Sequence, residues 1–201
     1  MVPPVSAETA HEHDAILGSI SNDSYVYCSK YPDIVARSER SICSEYIYGI
    51  NNHLNELWWK SKNKQELIHF LDELWVNQNE SPILNNILIR LNLAFLMGQA
   101  SWNSLECDNC DHLRNYVISY MSSNDAEILL SAITALGVVG KSEDALLLKP
   151  IILSEKEGLA KKAITAAVKI LKHRKSVSEF MANVLPDIQR NSLRSYILQY
   201  K

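Results

Sequence analysis

The chain has 201 residues, 47% of them hydrophobic and 21% charged; this balance suits one domain, 1–201, with a sizeable core, and excludes a fibre or a disordered tail. No apolar run reaches the roughly 18 residues needed to span a bilayer, and the opening MVPPVSAETAHEHD lacks the basic-then-apolar pattern of a signal peptide, so a cytoplasmic protein without a membrane partner is expected. The formal charge of −3 is unevenly placed: from Lys156 onward ten Lys or Arg face three acids, a charge of +7, which leaves −10 on the preceding 155 residues.

Residues 1–33 read as a less regular N-terminal segment. HEHD places His11, Glu12, His13 and Asp14 together, but without the His-Glu-x-x-His spacing that sets two imidazoles on one helical face, so a solvated terminus is expected there. SYVYC, 24–28, is the one short stretch that reads as a strand. The four cysteines, Cys28, Cys43, Cys107 and Cys110, are too few for a disulfide-built scaffold of this length. They read as free thiols in a reducing compartment.

The part from 34 to 98 reads as divergent helices near 34–60, with Gly49 a potential break, 64–78 and 82–98. Asn63 with Glu66 forms a start signal, and Ser81-Pro82 is a cap followed by proline at the first helical position. Trp58, Trp59 and Trp75 fall near helix C-termini and read as packing residues. A long loop follows at 99–111 and carries Trp102, Glu106, Asp108 and Asp111. An aromatic among several acids on a loop held by a rigid scaffold is a favoured binding element.

Beyond it, helices are expected near 111–122, 125–139, 143–153, 155–173, 177–185 and 187–199, about nine in all. Asn124 with Glu127, Ser154 with Glu157 and Ser176 with Glu179 supply capping-box spacings. The phrase Ala-Ile-Thr-Ala occurs at 132–135 and again at 163–166, an offset of 31 residues. Around it Leu129, Ala132, Ile133, Leu136 and Val139, and then Ala160, Ala163, Ile164, Ala167 and Leu171, recur at helical spacing. A repeat of that length, with alanines where helices must approach, implies stacked helical units.

AEILLSAITALGVVGKSEDALLLKPIIL resembles a HEAT-like, armadillo-type repeat of the short variety: an alanine-rich helix, an ALG..G ending, an acidic turn, then a leucine helix with Pro150 inside it. The resemblance covers 124–185, with a degenerate copy near 82–99, and places HEAT-like repeats in 112–201. It implies an all-α solenoid of antiparallel helix pairs that binds partners on its surfaces, and no reaction.

No nucleophile elbow or glycine-rich phosphate loop occurs, so no enzyme, no catalytic residue and no cofactor are expected. Cys107, Cys110 and His112 have half of a zinc signature, but a second ligand pair is missing, and no metal is expected. Lys161, Lys162, Thr165, Lys169, Lys172 and His173 share an arc of about 120° on one helix, which is a cationic stripe or an ordinary solvated face. A HEAT-like nucleic-acid-binding protein or DNA glycosylase is a third reading implied by the resemblance, and the acidic majority argues against such a nucleic-acid partner. What remains is a non-enzymatic protein that binds a basic protein partner, foremost an immunity protein neutralising a cognate toxin such as a nuclease, with a HEAT-type adaptor or scaffold as the alternative. Trp102, Glu106, Asp108, Asp111 and Glu127 are the expected contacts.

Overall fold

In the computed structural model, which describes residues 14, 16–18, 20, 22–33, 36–76, 81–103, 105–107, 109–154 and 156–200, every regular element is helical and no strand occurs among those residues. The chain divides into two compact units, Met1–Asp108 and Asn109–Lys201.

In the first unit the expected strand at SYVYC is instead a 3-10 helix, Asp23–Lys30. Asn22 starts it by accepting a hydrogen bond from Ser24 N at 3.1 Å. Period-two alternation would have set Tyr25 and Cys28 on opposite faces. Here Tyr25 stacks on Tyr46 at 4.2 Å between ring centroids, while Cys28 is covalently joined to Cys43 with its Cα 5.0 Å away. The free-thiol expectation is therefore corrected: no cysteine is free. Cys107 and Cys110 are both disulfide-bonded as well.

Helix α1, Arg40–Lys60, runs unbroken through Gly49 and buries Cys43, Ile47, Ile50, Leu54, Leu57 and Trp58 along one side. It ends where the Lys64 ammonium donates to the carbonyls of Trp58 and Ser61, satisfying acceptors that the last turn leaves open. Helix α2, Lys64–Val76, starts as expected: Asn63 Oδ1 accepts from Glu66 N at 3.3 Å and Asn63 Nδ2 donates to the Glu66 carboxylate at 3.1 Å. Ser81-Pro82 opens only a short 3-10 turn, Pro82–Asn85. Helix α3, Ile87–Gly98, starts at Asn86, whose side chain accepts from Leu88 N at 2.9 Å. Both α1 and α2 pack on α3.

The second unit comprises α4 (Cys110–Ser119), α5 (Ala126–Val139), α6 (Ala145–Ile152), α7 (Glu157–Leu171), α8 (Arg174–Val184) and α9 (Asn191–Leu198). The two Ala-Ile-Thr-Ala helices, α5 and α7, pack extensively on each other, and α6 packs chiefly on α7. Ala132, Ile133, Leu136, Ala163, Ile164 and Ala167 are all fully buried, as the periodicity predicts. Closeness explains the small residues, since a methyl added at Gly137 would lie 3.4 Å from the Ala166 Cα. The threonines repeat a role too: Thr134 donates to Leu130 O at 2.8 Å and Thr165 to Lys161 O at 3.0 Å, the i−4 back-bond by which a helix absorbs a hydroxyl. Gly140 leaves α5 where a Cβ would stand 2.5 Å from Leu136 O and 3.0 Å from Ile170.

Three start signals are displaced from their expected places. Asp125, not Asn124, caps α5, accepting from Glu127 N at 2.8 Å and Ile128 N at 3.1 Å. Lys156 stands at the cap of α7 in place of Ser154, and Ser176 lies inside α8, which begins at Arg174.

Two stability measurements check this packing. Replacing Cys28 and Cys43 together by serine should lower the unfolding free energy by about 3 kcal/mol, the loop-entropy value for a closed loop of roughly 15 residues; denaturation of the double variant with the wild-type midpoint would contradict the role given to the buried bridge. Ala163→Leu should overpack the α5–α7 seam and cost on the order of 1–3 kcal/mol, read as a lowered thermal midpoint.

Candidate functional site

The expected contact residues are distributed over both units. In the first, Trp102 closes a 3-10 turn, Gln99–Trp102, and its side chain is 44% exposed. The loop after it is held by its own backbone: Asn103 N and Leu105 N both donate to Ala100 O, at 2.9 and 3.0 Å, and Glu106 N donates to Gln65 Oε1 of α2 at 3.3 Å. Trp102 and the exposed Glu106 are thus presented within a few residues of one another on a pinned segment. Asp108 lies outside the described residues.

In the second unit, Asp111 is the second residue of α4 and pairs with Lys141 Nζ at 2.7 Å. The hydrogen bond and charge of Lys141 hold its carboxyl below the ordinary value, but the pair is largely exposed and contributes little to stability. Glu127 lies in the first turn of α5 and is half-buried. Lys141 follows the C-terminal end of that helix, so Asp111 and Glu127 stand at opposite ends of α5, on the order of 15–20 Å apart along its axis. The structure does not gather them into one patch.

A stronger electrostatic feature in this unit has no sequence signature. Arg114 of α4 grips Asp144 with two donors, Nε at 2.6 Å and Nη2 at 2.5 Å, and reaches Glu143 at 3.2 Å. Asp144 also accepts from Lys141 N at 2.7 Å and is buried. Its hydrogen bond raises the Arg114 pKa further above its ordinary value. Bidentate pairing of this kind fixes geometry as well as charge, and it locks α4 to the turn between α5 and α6.

The cationic stripe is interrupted. Lys161 pairs with Glu157 at 2.6 Å and lies 5.9 Å from the Tyr196 ring centroid, while the Thr165 and Tyr196 hydroxyls are 3.2 Å apart. Helix α9 therefore covers part of this face. A cleft of about 490 Å³ opens between the end of α6 and the residues preceding α9, with Leu153, Ser154, Asp187 and Arg190 in its walls. Asp187 is paired with Lys149 at 3.2 Å and Arg190 donates to the Ser154 carbonyl, so these charged groups already have protein partners.

For metal binding, disulfide bonding removes the Cys107 and Cys110 thiolates as ligands, and no group of three or more ligating side chains occurs among the described residues. His11, Glu12 and His13 lie outside those residues. No helix among the described residues is long and apolar enough to cross a membrane.

The tryptophan pair at the end of α1 corrects the packing expectation for one partner. Trp58 is buried and carries the Lys64 ammonium 5.2 Å from its ring centroid, whereas Trp59 is 77% exposed. A helical wheel separates them, since adjacent residues lie about 100° apart. Sequence reasoning that treated both as core missed Trp59, the most exposed large hydrophobic side chain among the described residues.

Asp144→Ala should cost about 3 kcal/mol, toward the lower end for breaking a buried pair because Arg114 remains partly solvated; thermal unfolding of the variant measures it. Glu143→Ala, which removes only the exposed branch, should change stability by under about 1 kcal/mol.

No family model, no curated protein and no solved structure matches this chain.

Proposed function

We propose that the chain is a non-enzymatic binding protein that captures a basic protein partner, and that the capture is an immunity function holding a cognate toxin inactive. The observation that carries this reading is the division of charge between the two units. Residues 1–108 hold seven Lys or Arg against fourteen Asp or Glu, a formal charge of −7, while residues 109–201 hold thirteen against nine, +4. An acidic body steers a cationic partner over long range and disfavours nucleic acid. The exposed Trp102, close in sequence to Glu106, supplies an apolar anchor of the kind that dominates interface energetics.

The second unit we read as a short solenoid of HEAT-like helix pairs. The support is the equivalent burial and the equivalent threonine back-bonds of α5 and α7. The paired cysteines bear on where the partner is met. Closed disulfides persist in oxidising compartments, so they favour a basic toxin encountered outside the cytosol over a nuclease encountered within it.

The test is retrieval of the partner by the full chain from its native host, identified by mass spectrometry and followed by association kinetics. One stoichiometric basic protein is expected, whose association rate falls several-fold as salt is raised and the Debye length shrinks below about 8 Å. Several subunits of one assembly, or nucleic acid, would overturn the immunity reading.

A further inference from the structure

Helix α1 buries one face completely, and the opposite face carries a pattern the core does not need. At about 100° per residue, Glu45, Tyr48, Asn52, Glu56 and Trp59 fall within an arc of about 80° centred opposite the buried residues. Tyr48 and Trp59 are among the exposed large side chains of the protein, at 44% and 77%. Within the stripe a unit repeats: Glu45 precedes Tyr48 by three residues, and Glu56 precedes Trp59 by three. The two units are eleven residues apart, close to three full turns, so they point the same way with a separation of about 16 Å.

A carboxylate one turn from an aromatic ring on the same face is a receptor for one cation. The ring face attracts an ammonium or guanidinium through its quadrupole, and the carboxylate accepts its N–H groups. An exposed aliphatic surface would serve any apolar partner, but alternating acid and aromatic positions on a body of charge −7 select a positively charged one. Glu56 is already paired with Lys60 at 3.1 Å, with both side chains about 60% exposed. Such a pair is weak, so exchange of Lys60 for a partner cation is easy.

We propose that the solvent face of α1 is a docking surface for a cationic helical face of a protein partner, with Glu45–Tyr48 and Glu56–Trp59 as two equivalent cation clamps set three turns apart. The partner's arginines or lysines recur at the same spacing. This deepens the reading above, on which its partner class rests, and moves the principal contact from the 99–111 loop to α1.

The test uses the full chain and two alanine-based helical peptides of identical composition. One carries arginines eleven residues apart, on one face; the other carries them nine apart, on opposite faces. Binding is followed by tryptophan fluorescence at low ionic strength. The eleven-spaced peptide should bind roughly tenfold more tightly, and Trp59→Ala or Tyr48→Ala should each weaken it roughly fivefold. Glu45→Gln with Glu56→Gln should abolish the preference between the peptides. All these positions are exposed, so circular dichroism should show unchanged folding. Equal binding of the two peptides, or loss of binding in Trp102→Ala but not in Trp59→Ala, would overturn the proposal. In the native retrieval, a basic partner held equally by wild type and Trp59→Ala would refute this surface while leaving the immunity reading in place. A peptide preference that persists when the retrieved partner is not basic would support the surface and refute that reading.

Discussion

A helix driven end-on into a core carries unsatisfied N–H groups with it, and each costs free energy unless something nearby accepts from it. The first unit answers this constraint with a buried polar side chain that also ties a distant segment, and in the second unit a buried carboxylate ties α4 to the turn ahead of α6. In the first unit, Asn86 is fully buried. Its carbonyl oxygen accepts from Leu88 N and Ile89 N at the start of α3, at 2.9 and 3.3 Å. Its amide nitrogen donates to Tyr31 O at 2.6 Å and Cys28 O at 3.2 Å, beside the disulfide. In the second unit, Asp144 accepts from Lys141 N and from Arg114 of α4. An apolar residue at either place would orphan backbone groups and release a segment together.

The same economy governs the α5–α7 seam. Helices that approach closely must have small residues at the contact, and Gly137 against Ala166 meets that need. A seam of alanine and glycine buries little area per residue, so the long side chains beside it, Ile133, Leu136 and Ile164, carry the apolar burial. Recurrence of the tetrapeptide at 31 residues is therefore a packing requirement: two small residues approach, one isoleucine fills, and one threonine bonds back within its own turn.

These requirements decide what could be read in advance. The buried faces of α5 and α7 were legible because burial at helical spacing leaves a periodic trace. The helix starts were less so: Asn124 and Asp125 are both good caps, and only backbone geometry selects Asp125. Cys28 and Cys43 carry no pairing signal in their spacing, because their approach depends on the 3-10 turn laying Cys28 against α1. The ion pair of Arg114 with Asp144 spans 30 positions and belongs to no local pattern. Among the candidate contacts, exposure separated Trp59 from Trp58 where composition treated them alike; the period of α1, applied to its outer face as well as its inner one, held the signal that could have found it.

Charge compensation explains why the two ends of the chain differ as surfaces despite comparable numbers of ionic groups. On α7, Lys161 has a carboxylate from its own helix and an aromatic ring from α9, and Lys149 near the same unit's cleft has Asp187. These cations are neutralised by groups the fold itself supplies. On the outer face of α1 the ratio is reversed: two carboxylates and two rings stand along the stripe, and the Glu56–Lys60 ion pair there is exposed and exchangeable. A surface whose own cations are few gains most by accepting another molecule's, since the field of an acidic body is then lowered by association rather than by rearrangement within the fold. That difference in local compensation, more than the net charge of −3, is what supports the proposed docking on α1.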